Sequence, residues 1–241
     1  MEYKIIEDYI TPNKYSRPQK DLKRIKALVI HWVANPNTSA IANRNFFESR
    51  KGGEKSYGSA HEIIDLNGDV VIAIPENEIA YHVGSKTYTD EALVSLSDYP
   101  NDCTYGIECT HVDWQGNMTD ETIATLIARC ADLCTRYDLD PLVDIWTHKQ
   151  VVGWKNCPKY FVDHPKEFEL FKEKVKIKMT SVNTSDSWKY ELGKEALVYL
   201  ADKKIIDSPK IWMDKLDEPV PNWLFFTIVE RIIKQRDCDK N

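Results

Sequence analysis

Apolar residues in the first three-quarters of this chain alternate between short continuous runs and helix-spaced stripes. Ala27-Leu28-Val29-Ile30 is an unbroken run that predicts a buried strand over Lys26–Trp32. Ser39 is placed to cap a helix over 40–50, with Phe46 and Phe47 on its buried side. Lys51–Lys55 reads as a turn. Ala60–Asp65 and Val70–Ile74 flank Asn67-Gly68, the strongest hairpin signal in the chain. Tyr105–Val112 predicts a further strand. Thr119, followed by Asp120 and Glu121, opens a helix with the stripe Ile123, Leu126, Ile127, Cys130, Leu133, Cys134 and Tyr137. Leu142–Trp146 leads into a strand that ends at His148, and a last helix covers 165–178. Residues 1–25, polar and broken by Pro12 and Pro18, read as an arm laid over a surface. The alternation predicts an α/β layer structure with a mostly buried sheet.

The pattern changes at 179–187, a polar stretch with no large side chain except Val182 after its opening Met179, and reads as a linker. Beyond it, Trp188, Leu192, Ala196, Tyr199 and Leu200 share a helical face. Ser208-Pro209 is an N-cap with a first-turn proline, and Pro221 opens a helix bearing Trp223, Phe226, Val229, Ile232 and Ile233. The expected organisation is a domain over 1–178, a linker over 179–187 and a small all-α module over 188–241. A module that small gains little from its own core, which predicts docking or self-association. Met179 is also placed where a separate C-terminal product could start.

Composition narrows the function. Of the 241 residues 42% are hydrophobic and 29% charged, as in ordinary globular proteins, and the net charge of -6 argues against nucleic-acid binding. No apolar run approaches membrane-spanning length, so no membrane insertion is expected. The acidic N-terminus has no signal-peptide pattern, and the six cysteines are too sparse for a disulfide scaffold. A protein made in a reducing cytosol is expected, with release dependent on some other agent.

The candidate chemistry gathers around Ile145–Pro158. His148 and Cys157 lie on either side of a short loop, and imidazole and thiolate are zinc ligands. His31, at the end of the first apolar run, is the best third ligand. Three protein ligands leave a fourth position for water, as in catalytic zinc sites. The same residues also fit two polar strand-end histidines and a buried thiol. Lys155 would bring positive charge beside such an ion.

His31-Trp32, Ser59–Asp65, Tyr81-His82-Val83-Gly84, Tyr105-Gly106-Ile107-Glu108, Thr147-His148 and Lys155-Asn156-Cys157-Pro158 occur in one order. Together, over about residues 20–175, they resemble the type-2 N-acetylmuramoyl-L-alanine amidases. These are the zinc amidases of phage endolysins, related to the peptidoglycan recognition proteins. The resemblance implies a central mixed β-sheet flanked by helices. It also implies one zinc ion (Zn2+) on His31, His148 and Cys157, and hydrolysis of the amide between N-acetylmuramic acid and L-alanine. Glu108 matches the general base and Lys155 the cation that stabilises developing negative charge. A solvent-facing strand carboxylate and an exposed loop lysine are the plainer alternatives. Some relatives use a tyrosine just before the hairpin histidine. That position here is Ala60, which shifts weight to Glu108.

His61 and His82 are candidate substrate contacts, with supporting or core roles equally open. His111 and His164 read as structural or surface residues, Cys130 and Cys134 as core. Trp32, Trp114 and Trp154 suit sugar stacking, although core packing is their default. The C-terminal module resembles small helical wall-binding modules of endolysins, on Ile205-Ile206-Asp207-Ser208-Pro209, Trp212 and Pro219–Trp223. The whole implies an endolysin made in the host cytoplasm, released through a holin, and acting on the peptidoglycan of a Gram-positive cell wall. The alternatives are a non-catalytic peptidoglycan-binding protein of this fold and a cytoplasmic muropeptide-recycling amidase. A bacterial autolysin would need an export signal.

Overall fold

The first 25 residues do more than cover a surface. In the computed structural model, which describes residues 3–53, 56–206, 209–213 and 222–238, Ile5–Glu7 forms an edge strand, β1. All three of its residues are exposed, so no apolar alternation marks it in the sequence. Backbone pairing to Val70–Ile72 is what makes it a strand.

The elements then run β2 (Ala27–Trp32), α1 (Ala40–Glu48), β3 (Glu62–Ile64), β4 (Val70–Ile72), α2 (Asp90–Ser95), β5 (Thr104–Cys109), α3 (Asp120–Tyr137), α4 (Pro141–Asp144), β6 (Ile145–Thr147), α5 (His148–Val152), α6 (Lys159–Asp163), α7 (Pro165–Asp202), α8 (Pro209–Met213) and α9 (Asn222–Cys238). Among the described residues the sheet has the order β1-β4-β3-β5-β2-β6. The β3–β4 hairpin is antiparallel and the other pairings are parallel, so the sheet is mixed, as expected. The hairpin turn depends on Gly68, whose φ of +84° suits a residue without Cβ. A Cβ there would also stand 2.8 Å from Thr125 Oγ1.

Two faces of the sheet bury different things. Leu28, Ile30, Tyr105, Ile107 and Ile145 pack against Leu126, Cys130, Leu133 and Cys134 of α3 and against Phe161, Phe168 and Phe171. Fully burying side chains of this size contributes about 1.5–3 kcal/mol each, so this face carries the main core. The opposite face has a smaller apolar cluster, Ala27, Val29, Trp146, Val83, Val151 and Val152. It leaves room for polar side chains.

Several expected elements differ in detail. Ser39 caps α1 as expected, its side chain accepting from the Ala42 N–H, but the buried residues are Ala40, Asn43 and Arg44. Phe46 is exposed and Phe47 half-buried. Arg44 takes the inner position because its guanidinium binds the Asp8 and Tyr9 carbonyls at 2.9 and 2.6 Å, tying down the N-terminal arm. The last helix of the first domain does not stop at Lys178 but continues as α7 to Asp202. The polar stretch 179–187 holds neither proline nor glycine, and its residues cost at most about 0.7 kcal/mol each against Ala.

By its internal contacts the chain divides into Met1–Met179 and Thr180–Asn241. Within the second unit Ile205 and Ile206 are buried, and Arg231 Nη1 donates to the Ile205 carbonyl at 3.0 Å. Tyr199, Trp223 and Phe226, read from sequence as members of helical apolar faces, are exposed. Lys55, Ser208, Pro219 and Pro221, named in the expected turn, caps and motif, lie outside the described residues.

Under the sheet, Glu62 is fully buried and holds Arg129 Nη2 at 2.7 Å and the Tyr105 hydroxyl at 3.0 Å. Removing one partner leaves a buried charge without compensation. Arg129→Leu is expected to lower unfolding free energy by about 3–5 kcal/mol in urea melts, and Glu62→Gln added to it to recover part of that loss. A loss under about 1 kcal/mol for the single variant contradicts this ion pair's place in the core.

Candidate metal and active site

Strand register builds the site. β2 lies between β5 and β6, with His31 opposite Glu108 and Ile30 opposite Thr147. The residue after Thr147 therefore comes level with His31, and that residue is His148. It is the first residue of α5 rather than the end of the strand. Thr147 accepts from the Gln150 N–H and Gln150 bonds back to the Thr147 N–H, a reciprocal cap that stops the strand and starts the helix at this point. The chain leaves α5 at Gly153, φ +83°, and returns so that the Cys157 carbonyl accepts from the Lys149 N–H at 3.0 Å.

These elements bring three donor atoms together. His31 Nδ1 is 3.0 Å from His148 Nδ1 and 3.6 Å from Cys157 Sγ. A tetrahedral zinc ion with ordinary Zn–N and Zn–S bonds separates its ligand atoms by about 3.3 Å (N to N) and about 3.6 Å (N to S). The two separations from His31 are close to these values, and all three donor atoms lie within 4.8 Å of one another. His31, His148 and Cys157 are all buried. Burial holds the His31 ring well below the usual imidazole range, with the neighbouring histidines adding to the effect. Burial and the Lys155 charge push His148 down to about 3. Burial and the nearby Glu108 push the Cys157 thiol up to about 12. Lys155 pulls the thiol the other way without outweighing burial, and a metal ion among the three would add the charge that deprotonates a ligating thiol.

Beside the trio runs a groove of about 900 Å³, lined by Glu108, His148 and Lys155 together with Tyr81, Tyr99 and Trp154. Glu108 is part-buried, not solvent-facing, and its Oε2 is sealed from solvent with no partner among the described residues. Desolvation raises its carboxyl to about 8, against the opposing pull of Lys155. Lys155 is exposed at the groove, and its charge reaches His31, His148, Cys157 and Glu108 alike. A cation among the three donors would draw the Glu108 pKa back down.

Residues 21–160 match the family model described as N-acetylmuramoyl-L-alanine amidase. The chain belongs to this amidase family. Among curated relatives, N-acetylmuramoyl-L-alanine amidase BlyA of Bacillus subtilis (strain 168) is 33% identical over 184 residues, covering 73% of this chain and 48% of the relative. A probable N-acetylmuramoyl-L-alanine amidase of Bacillus licheniformis is 33% identical over 175 residues, covering 71% of this chain and 47% of the relative. The chain thus spans about half the length of these relatives. The fold is shared with the PlyG catalytic domain, TM-score 0.58 at 19% identity over 74% of this chain and 96% of that one. It is shared also with the catalytic domain of XlyA, TM-score 0.53 at 21% identity over 70% and 98%.

Within this amidase domain the two candidate substrate histidines make their hydrogen bonds inside the protein. His61 is fully buried and stacks on Tyr105 with ring centroids 4.3 Å apart. Its Nδ1 accepts from the Gly106 N–H at 2.9 Å and its Nε2 faces the Glu78 carbonyl at 3.0 Å. With both nitrogens used inside the protein, it has none to offer a substrate. His82 reaches the groove floor, but its Nδ1 faces His31 and its Nε2 faces Thr104. His111 is buried between Asn35 and Asp113, a structural role as expected, and Cys130 and Cys134 are in the core.

Trp114 and Trp154 depart from their default of core packing, both being exposed. Trp154 Nε1 donates to Ser85 Oγ at 3.2 Å across one end of the groove. Of the groove tyrosines, Tyr81 belongs to a block that carries the family resemblance, whereas Tyr57 and Tyr99 carry no such sequence signal. They sit in loops without periodicity, and only their density within a few glycine- and serine-rich turns could have flagged them.

His61 gives the fold a pH dependence. Burial lowers its pKa to about 4, while the unfolded ring titrates near about 6.5. As pH falls below about 6.5 the unfolded chain takes the proton first, so this contribution is whole above that value and is lost progressively down to about 4. In metal-free protein, His61→Gln is expected to flatten the stability-against-pH slope between pH 6.5 and 5 by up to about 1.4 kcal/mol per pH unit. Parallel profiles for parent and variant contradict a buried neutral His61.

Proposed function

We propose that this chain is a zinc-dependent N-acetylmuramoyl-L-alanine amidase of the endolysin type. The observation that carries the reading is the gathering of His31, His148 and Cys157 donor atoms within 4.8 Å of one another, with His31 opposite Glu108 and with Glu108 and His148 lining an open groove. Zinc held by these three supplies Lewis acidity toward water and toward the carbonyl oxygen of the scissile amide. Glu108 accepts the proton of the attacking water and passes it to the departing L-alanine nitrogen. Its desolvated position gives it the raised basicity that such a shuttle needs. Lys155, at the mouth of the same groove, offsets the negative charge that collects on the carbonyl oxygen. The tyrosines and Trp154 offer flat faces for sugar rings and for the peptide stem.

In this reading the amidase domain covers 1–178, residues 179–187 join it to the next unit, and the helices over 188–241 bind the wall. The substrate is the peptidoglycan of a Gram-positive bacterium, and the setting is host lysis by a phage enzyme released through a holin. The exposed Tyr199, Trp223 and Phe226 support self-association of the C-terminal helices, which would raise avidity for a polymeric wall. Among the described residues no helix is long and apolar enough to cross a membrane.

The test is to incubate zinc-loaded protein with purified Gram-positive walls and assay new chain ends. Free L-alanine amino termini are expected, whereas release of reducing sugar shows that a different bond is cut. Glu108→Gln keeps the shape of the side chain and removes the base. It is expected to lower kcat by about 10²- to 10⁴-fold with zinc content unchanged. Activity within a few-fold of the parent removes Glu108 from the reaction.

A further inference from the structure

We propose that His82 is a positioning residue for the metal. It fixes the tautomer and the aim of the ligand His31 through a one-way chain of hydrogen bonds anchored at Thr104. The inference rests on the zinc-site reading above.

The direction of the chain follows from counting protons at Thr104. Its hydroxyl has a single proton, which goes to the Pro100 carbonyl at 2.7 Å. His82 Nε2 lies 3.1 Å from that hydroxyl oxygen and 3.2 Å from the Thr104 carbonyl. Both are acceptors here, so Nε2 carries the ring proton of His82. Nδ1 of the neutral ring is then an acceptor, and His31 Nε2, 3.0 Å away, donates to it. Both rings are buried, so neither nitrogen of this contact meets water. With its one proton on Nε2, His31 turns a bare Nδ1 lone pair toward His148 Nδ1 and Cys157 Sγ. That is the form a metal requires, and a partner on the far nitrogen is how metal-binding histidines are usually held to it.

His82 is itself held from two sides. The backbone N–H groups of His82 and Val83 both donate to Asn101 Oδ1, at 3.1 and 2.9 Å, and Asn101 is fully buried. The ring lies against Gly106 so closely that an added Cβ would stand 2.4 Å from its Cγ and 2.6 Å from its Nδ1. Glycine is needed there for space. One face of β5 thus presents Thr104, Gly106 and Glu108 at alternate positions: anchor, seat and proposed base.

The first readout needs no substitution. Long-range proton–nitrogen NMR spectra of the metal-free protein are expected to show His31 and His82 both protonated at Nε2, and a His31 protonated at Nδ1 overturns the proposal. Zinc affinity, measured by competition with a chelator, is the second. His82→Leu is expected to weaken zinc binding by about 10- to 100-fold. His82→Asn, whose Oδ1 stands near the lost Nδ1, is expected to recover most of it. Gly106→Ala should weaken binding as His82→Leu does, although it adds no group next to a ligand. Folded variants that bind zinc as the parent does, or an Asn variant as weak as the Leu variant, overturn the proposal. A parent chain that takes up no zinc overturns the zinc-site reading as well, while the NMR tautomers still report on the hydrogen-bond chain.

Discussion

Two imidazoles and a thiol buried together, their donor atoms within 4.8 Å of one another, form a ligand set that a cation completes. Each was taken out of water, and His31 Nδ1 faces His148 Nδ1 and Cys157 Sγ, its fellow candidate ligands. Burial and the nearby Glu108 push the thiol away from the ionised form that binds metal. A divalent cation held by His31, His148 and Cys157 would reverse that push, take up their lone pairs and draw the nearby Glu108 toward its basic form. The other features of the site follow from meeting this one requirement.

The fold meets it by giving the two faces of the sheet different tasks. One face packs aromatic and aliphatic side chains against α3 and the phenylalanines of α6 and α7, and encloses the Glu62–Arg129 pair. That core makes the register of β5, β2 and β6 costly to shift, because a one-residue slip would turn Ile30 and Ile107 out of it. The fixed register then sets His31 beside Glu108 on the other face, at the carboxyl ends of parallel strands, where α/β sheets commonly bind ligands. Precision at the site is borrowed from packing on the reverse side.

Much of this was legible in the sequence. The run ending in His31, the Asn67-Gly68 hairpin and the Thr119-capped helix are local patterns, and each became the expected element. The motif blocks of the sequence already point to His31, His148, Cys157, Glu108 and Lys155, which lie around one end of the sheet. What stayed hidden depends on contacts that leave no periodic trace. β1 is a strand because its backbone finds β4, while its side chains face solvent. Arg44 displaces Phe46 from the inner face of α1 because carbonyls of a distant arm need its guanidinium. His61 and His82 look equally suited to a substrate in sequence, and only their partners show that both work inside the protein. No pattern in 179–187 announces that a polar stretch without breakers carries a helix on to Asp202.

The account is tested most directly by X-ray absorption spectroscopy on zinc-loaded protein. The prediction is one zinc per chain, with a first shell of two nitrogens at about 2.0–2.1 Å, one sulfur at about 2.3 Å and one light oxygen scatterer in the open position. A stoichiometry near zero, or a first shell without sulfur, would mean that His31, His148 and Cys157 do not form the metal centre on which the catalytic reading depends.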